Sequence, residues 1–397
     1  MEGKKRTPIL KNPGVQTLLA SLLCIVLGLI VGYIALLIIN PAGANEAIMM
    51  IVKNYMKFTR KSTMLKNMGY TLTKTVPLLM CSLSVLFAYK VGLFNIGAAG
   101  QYVAGAGVAL FCALGLRMPW WVCLLAAILA GAVLGVASGA LKAYFNVNEV
   151  ISCIMLNWIM LYSVNMLLTP YAPAGMPETS TLRSTNPAGI LPSLGMADVF
   201  GKTNYVTIAL PMAIVVAIAV WVVLTKTKIG YELRATGLNK HAAKYSGMRE
   251  KGNVMLAMAI SGGLAGAGAA MYYLTDFQQW GVTQSAVPAM GFNGIAAAFL
   301  GGLHPIGAIF ASYFIEHISG GGTFVDKTMY CAEISDLISA VIIYLCGFVL
   351  FFRGTMTRMI DSIAEKKAAK AGVASAAAPQ EAENAPAQTE SKEGEDK

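Results

Sequence analysis

The chain has 397 residues, 56% of them hydrophobic and only 13% charged. Soluble domains carry about a quarter charged residues, so a soluble enzyme or binding module is excluded and a multi-pass membrane protein is indicated. The formal net charge of +10 then calls for no nucleic acid, because an excess of Lys and Arg on one side of a membrane accounts for it.

A span needs about 20 apolar residues. On that basis the chain reads as an all-α polytopic membrane protein with about ten transmembrane helices. They fall at 15–39, 71–90, 96–116, 119–142, 149–169, 204–225, 252–274, 287–302, 304–319 and 334–352. Residues 1–14 form a short basic segment with Lys4, Lys5, Arg6 and Lys11. The first apolar run is too long for the core of a cleaved signal peptide, and "NPAGANEA" after it fits a cleavage site poorly. Next comes "KNYMKFTRKSTMLK", residues 53–66, with five cations among Met and Tyr. It is expected either as an amphipathic helix on the outer membrane surface or as a solvated loop.

After the second span, "GLFNIGAAGQ" sets Asn95, Gly97 and Gln101 in apolar sequence. Small residues recur every fourth position at Gly28 and Gly32, at Gly131, Gly135 and Gly139, and at Gly262 and Gly266. That spacing lets helix backbones approach closely in lipid. At "NVNEVISCIMLNW", Asn148 suits an N-cap and Glu149 suits the first turn of a helix, with Asn157 two turns further in.

The longest charged loop, 226–251, is punctuated by Gly230, Gly237 and Gly247. Leu233, Ala235, Ala242, Ala243 and Tyr245 can make one apolar face there, among Lys226, Lys228, Arg234, Lys240 and Lys244. The loop is either an ordinary positive-inside loop or a segment that docks in a groove of a cytoplasmic partner. A second interruption, Phe292-Asn293-Gly294, precedes two short spans joined around Pro305, which are expected as half-spans. Glu316 and Asp336 read as interface residues near outer span ends. The stretch 356–397, Ala-, Glu- and Pro-rich beyond Lys366, cannot bury a core and is expected as a disordered cytoplasmic tail.

With the N-terminus inside, 20 of the 30 Lys and Arg fall on the cytoplasmic side and 10 outside, which favours cytoplasmic termini. Irregular backbone at membrane depth is tolerated only where it is buried in protein or lines water. Gly-interrupted segments in corresponding halves point to binding sites in repeat-built transporters. Asn95, Gly97, Gln101, Asn157 and Asn293 are therefore candidates for a substrate path, the alternative being simple packing kinks.

Other chemistry is missing. No Walker A or nucleophile-elbow motif occurs, and His241, His304 and His317 lie far apart. Of the seven cysteines only Cys331 stands outside the apolar runs, as expected of small buried hydrophobes. No catalytic residue, metal site or cofactor is expected on this chain. Nor does the core hold a set of central acids of the kind ion-driven carriers use, so the energy source is expected on another chain.

Five stretches occur in order: "GLFNIGAAGQ", "NEVISCIMLNW", "GYELRATGLNKHAAKYSGM", "ISGGLAGAGAAM" and "GFNGIAAAFLGGLHPIGA". Together, over residues 15–355, they resemble permease subunits of bacterial ABC importers for nucleosides, in a group that includes sugar and branched-chain amino-acid permeases. The resemblance implies a type II importer permease fold in the bacterial plasma membrane. It implies three partners: a cytoplasmic ABC ATPase that binds ATP and Mg, a second and different permease, and an extracytoplasmic nucleoside-binding lipoprotein. It also implies that the loop from Gly230 to Gly247, with Glu232, Arg234, Ala235, Gly237, Asn239, Ala242 and Ala243, couples to the ATPase. One position departs from the family pattern, since Ala99 stands where a Glu is common. A sugar permease and a self-sufficient secondary carrier are the rival readings.

Overall fold

The computed structural model describes residues 13–359 apart from 332 and 350, together with residue 362. Nearly all of the basic segment expected at 1–14, and the tail expected beyond 362, lie outside the described residues. Residues 351–359 are helical, so ordered chain passes the expected boundary at 355.

Among the described residues all regular structure is helical, apart from one isolated bridge between Glu178 and Gly281. The helices are α1 (Pro13–Ile39), α2 (Ala44–Lys53), α3 (Lys61–Lys90), α4 (Ala98–Leu110), α5 (Trp120–Phe145) and α6 (Glu149–Leu168). The short α7 (Leu182–Thr185) and α8 (Met196–Val199) follow, then α9 (Ala209–Lys226), α10 (Lys228–Leu238), α11 (Lys240–Tyr245) and α12 (Glu250–Tyr273). α13 (Met290–Leu300), α14 (Pro305–Gly322) and α15 (Ile334–Cys346) complete the order. A π-turn over Phe111–Gly115 extends α4. Among the described residues seven helices are long and apolar enough to cross a membrane: α1, α3, α4 with its extension, α5, α6, α9 and α12.

α13 has 11 residues and rises about 16 Å, roughly half of a 30 Å hydrocarbon core. The half-span expectation therefore fits it. It does not fit α14, whose 18 residues rise about 27 Å.

α3, α4 and α12 form the buried centre, and α1, α5, α6 and α9 keep apolar faces outward. The small-residue rows explain how tightly the centre closes. A Cβ at Gly131 would lie 2.2 Å from the Gly262 carbonyl oxygen, and one at Gly135 would lie 2.1 Å from that of Met258. α5 and α12 thus meet backbone to backbone, where dispersion contacts and not hydrophobic transfer hold helices together in lipid. Cys24, Cys81, Cys112, Cys123 and Cys153 are free and buried, and Cys331 is free and exposed.

Two further expectations are corrected. No amphipathic helix forms over 53–66. α2 ends at Lys53, one 3₁₀ turn covers Asn54–Lys57, and α3 begins at Lys61. Tertiary contacts override the local pattern. Asn54 and Tyr55 are buried, the Asn54 amide donates to the His317 carbonyl at 2.6 Å, and the Tyr55 and Tyr313 hydroxyls are hydrogen-bonded. Lys57 donates to the Phe324 carbonyl at 3.3 Å and lies over its ring. Glu316 is likewise no interface residue. It is buried on α14, which packs on α3. Asp336 is exposed and accepts from Ser319 at 3.0 Å.

Candidate functional site

The interruption after α3 is built by its own residues. Gly92 has φ +76°, a conformation open to glycine at little cost. The Leu93 N–H bonds the Ala88 carbonyl and the Gly92 N–H bonds that of Tyr89, both at 3.0 Å. This is a Schellman end, which satisfies the last carbonyls of α3. The chain then turns back into α4 with Asn95 fully buried.

The Asn95 amide nitrogen donates to Gln101 Oε1 at 2.7 Å and to Ser261 Oγ at 2.6 Å. Gln101 returns a bond to Asn95 Oδ1 at 3.3 Å. Ser261 of α12 bonds the Ser84 carbonyl at 2.8 Å and lies 3.0 Å from its hydroxyl. Four side chains from α3, the break, α4 and α12 therefore satisfy one another inside the bundle.

α4 begins at Gly97–Ala98 with no side-chain cap of its own, and the first N–H groups of a helix need partners. Asn157 of α6 supplies one: its Oδ1 accepts from the Gly100 N–H at 2.8 Å, while its amide donates to the Ile96 carbonyl at 3.2 Å. Gln101 and Asn157 are as enclosed as Asn95. Gly97 is buried too, pressed against Cys153 of α6. On the same helix, Asn148 Oδ1 accepts from the Val150 N–H at 2.9 Å, and Glu149 pairs with Lys142 at 2.7 Å.

The second interruption touches the first. A Cβ at Gly291 of α13 would lie 2.4 Å from the Ala99 Cα, so α4 and α13 are in contact at Ala99. Ala99 is fully buried there. Asn293 differs from the other amides. It is half-buried, its side chain makes no hydrogen bond among the described residues, and Phe292 beside it is exposed.

The long basic loop folds as two capped helices. Thr227 Oγ1 accepts from the Gly230 N–H and Asn239 Oδ1 from the Ala242 N–H, both at 3.1 Å. α10 is fixed to the bundle. Its Leu233 and Thr236 are buried, and Thr236 Oγ1 accepts from the Asn253 amide of α12 at 2.8 Å. A Cβ at Gly237 would lie 2.3 Å from the Val91 carbonyl group, and Gly237 in turn abuts Gly92. The basic loop thus presses directly on the break that leads to Asn95.

Of the residues expected on one apolar docking face, Leu233 and Ala243 are buried in the bundle and Ala235 is half-buried. Ala242 and Tyr245 are exposed, joined by Leu238; Leu238 is 88% exposed and Tyr245 92%. Glu232 is half-buried near Lys228 at 3.8 Å, and Arg234 donates back to the Gly230 carbonyl at 3.3 Å. Gly247, at φ +79°, turns the chain into α12.

A family model described as branched-chain amino acid transport system / permease component matches residues 67–347, more than half of the chain. The chain belongs to that permease family. The permease is 30% identical over 356 residues to the guanosine ABC transporter permease protein NupP of Bacillus subtilis, covering 86% of this chain and 96% of that protein. It is 30% identical over 377 residues to the nucleoside ABC transporter permease protein NupB of Lactococcus lactis, covering 90% and 98%. It is 28% identical over 345 residues to the glucose ABC transporter permease protein TsgB13 of Haloferax volcanii, covering 83% and 87%. No solved structure matches it significantly. The resemblance carried by the five motifs is borne out, and the permease is a multi-pass membrane protein.

The permease fold brings Asn95, Gly97, Gln101 and Asn157 together, with the Asn293 side chain outside their hydrogen bonds among the described residues. The sequence reading missed Ser84, Ser261 and Gly92. Serines are common in membrane helices, so nothing local distinguishes the two that complete the network.

Proposed function

We propose that this permease forms, with a second and different permease, the path by which nucleosides enter a bacterial cell. Energy would come from a separate ABC ATPase that binds ATP and Mg, and an extracytoplasmic nucleoside-binding lipoprotein would deliver the substrate. The observation that carries the reading is near full-length similarity to proteins named as guanosine and nucleoside ABC transporter permeases. The similarity to a glucose permease supports a sugar as the second reading. The excess of Lys and Arg supports an orientation with both termini and α10–α11 in the cytoplasm.

In this reading the enclosed amides Asn95, Gln101 and Asn157 hold the break in shape, and Asn293 is the amide with free capacity toward a polar substrate. ATPase docking falls to the exposed surface of α11 and the end of α10, with Leu238 and Tyr245 as apolar anchors and Lys240 and Lys244 at the rim. Leu238→Asp with Tyr245→Asp is expected to lower recovery of the ATPase on an affinity-tagged permease by about tenfold or more. Both positions are exposed, so the permease itself should stay folded. Undiminished recovery of the ATPase with the doubly charged variant would remove α11 from the docking surface.

A further inference from the structure

At mid-span the outward faces of three helices are aliphatic. α1 exposes Val26 and Ile30, α5 exposes Leu129 and Val133, and α9 exposes Val215 and Ile218, side chains as apolar as the lipid tails they would meet. The outward face of α6 is different. It exposes Trp158, Tyr162 and Ser163 near the middle of the span Glu149–Tyr171. The two rings are stacked, with centroids 6.2 Å apart and planes inclined by 24°. The Trp158 N–H and the Tyr162 and Ser163 hydroxyls make no hydrogen bond among the described residues.

In lipid this arrangement is costly. Trp and Tyr belong at the headgroup level, where their polar ends stay wet, and an unpaired polar group in hydrocarbon is expensive. Nor is the face built to receive another helix closely. Helices that meet in lipid do so through small residues, as α5 and α12 do at Gly131 and Gly262. On α6 the exposed Met155, Trp158, Tyr162 and Met166 are large and hold a neighbouring backbone off. Aromatic rings with free polar ends, set at mid-membrane, suit a wall that faces water and a polar cargo.

We propose that this face of α6 lines the substrate path and that a nucleoside stacks its base on the Trp158–Tyr162 pair. The inference rests on the nucleoside reading above. Every base has a π-face, so stacking accepts purines and pyrimidines alike, and the Tyr162 and Ser163 hydroxyls can donate to or accept from the polar groups of the ribose. Stacking on an open face holds a base without enclosing it, and a site on a path must release what it binds. The platform is also fixed in place. Asn157, next to Trp158, is buried on the inward side of α6 and bonded to Gly100 and Ile96, so the platform stands on the helix that steadies the start of α4.

The test uses proteoliposomes that hold the permease with its second permease, ATPase and receptor. Cys331→Ser removes the exposed thiol, and Ile159→Cys, at an exposed position beside Trp158, supplies a reporter that leaves both rings intact. During turnover the reporter thiol should react with a charged methanethiosulfonate. Guanosine should slow that reaction about fivefold or more, and glucose should leave it unchanged. Trp158→Leu should abolish the protection and lower guanosine uptake about fivefold or more, with the ATPase still recovered, whereas Trp158→Phe, which keeps a π-face, should retain most of both. A thiol that reacts only with a lipid-soluble maleimide would place the face in the bilayer, and one shielded from both reagents would place it against the second permease. Either result overturns the proposal, as does protection that survives Trp158→Leu, and each leaves nucleoside uptake by the wild-type complex standing. A wild-type complex that takes up no nucleoside would instead overturn the nucleoside reading, and the platform with it.

Discussion

Gly237→Ala should cut nucleoside uptake by about 5- to 150-fold while the ATPase still co-purifies with the permease. α10 is held at two facing contacts, the bond between Thr236 and Asn253 on α12 and the bare approach of Gly237 to Val91 and Gly92. A methyl group at 237 would sit 2.3 Å from the Val91 carbonyl carbon and oxygen, and these are backbone atoms that cannot rotate away. Overpacking of this kind costs about 1–3 kcal/mol, enough to lift the end of α10 from the break. On the proposed docking surface the exposed side chains of Leu238 and Tyr245 are unaltered, so the ATPase should still bind while the movement passed to the break is lost. The readout is ATP hydrolysis beside uptake in proteoliposomes. Hydrolysis that continues with uptake lost is the expected result, and a variant that transports at the wild-type rate would show that this contact transmits nothing.

Asn95→Leu should be the most destabilising of the amide substitutions. It preserves volume but strips partners from Gln101 and Ser261, which are fully buried. A buried polar group left unpaired costs about 1–3 kcal/mol, so thermal denaturation of the purified permease should move down by several degrees. The double variant Asn95→Leu with Gln101→Leu should lose less than the sum of the single variants, because the two amides satisfy each other, and coupling of about 0.5–3 kcal/mol is the expected signature. Asn293→Leu is the contrast. That side chain holds no partner among the described residues, so stability should stay close to wild type and a fall in uptake would report a contact with substrate. Strict additivity at 95 and 101 would contradict the shared network.

The long helices were legible because hydrocarbon thickness fixes how many apolar residues must run together. Close helix packing at the Gly131 and Gly262 rows was legible because small residues at fourth positions have one common use in lipid, though not that these two rows meet each other. What stayed hidden depended on partners distant in sequence. The segment 53–66 has the local pattern of a surface helix, yet Asn54 and Tyr55 find their partners on α14, more than 250 residues on. Glu316 has the place of an end residue in the sequence, yet it is buried on α14. Asn95, Gln101 and Asn157 were marked as unusual by their place in apolar sequence, but polarity alone does not distinguish a group facing a path from one satisfying a neighbour. Ala99 shows the same limit: its small size gains meaning only beside Gly291, 192 positions away.

The most direct measurement is uptake of labelled nucleoside into proteoliposomes that hold this permease with its cognate second permease, ATPase and receptor. Accumulation should require internal ATP, saturate with nucleoside and resist excess glucose or galactose. Accumulation driven by an ion gradient without the ATPase, or ATP-driven uptake of sugars with none of nucleosides, would contradict this expectation.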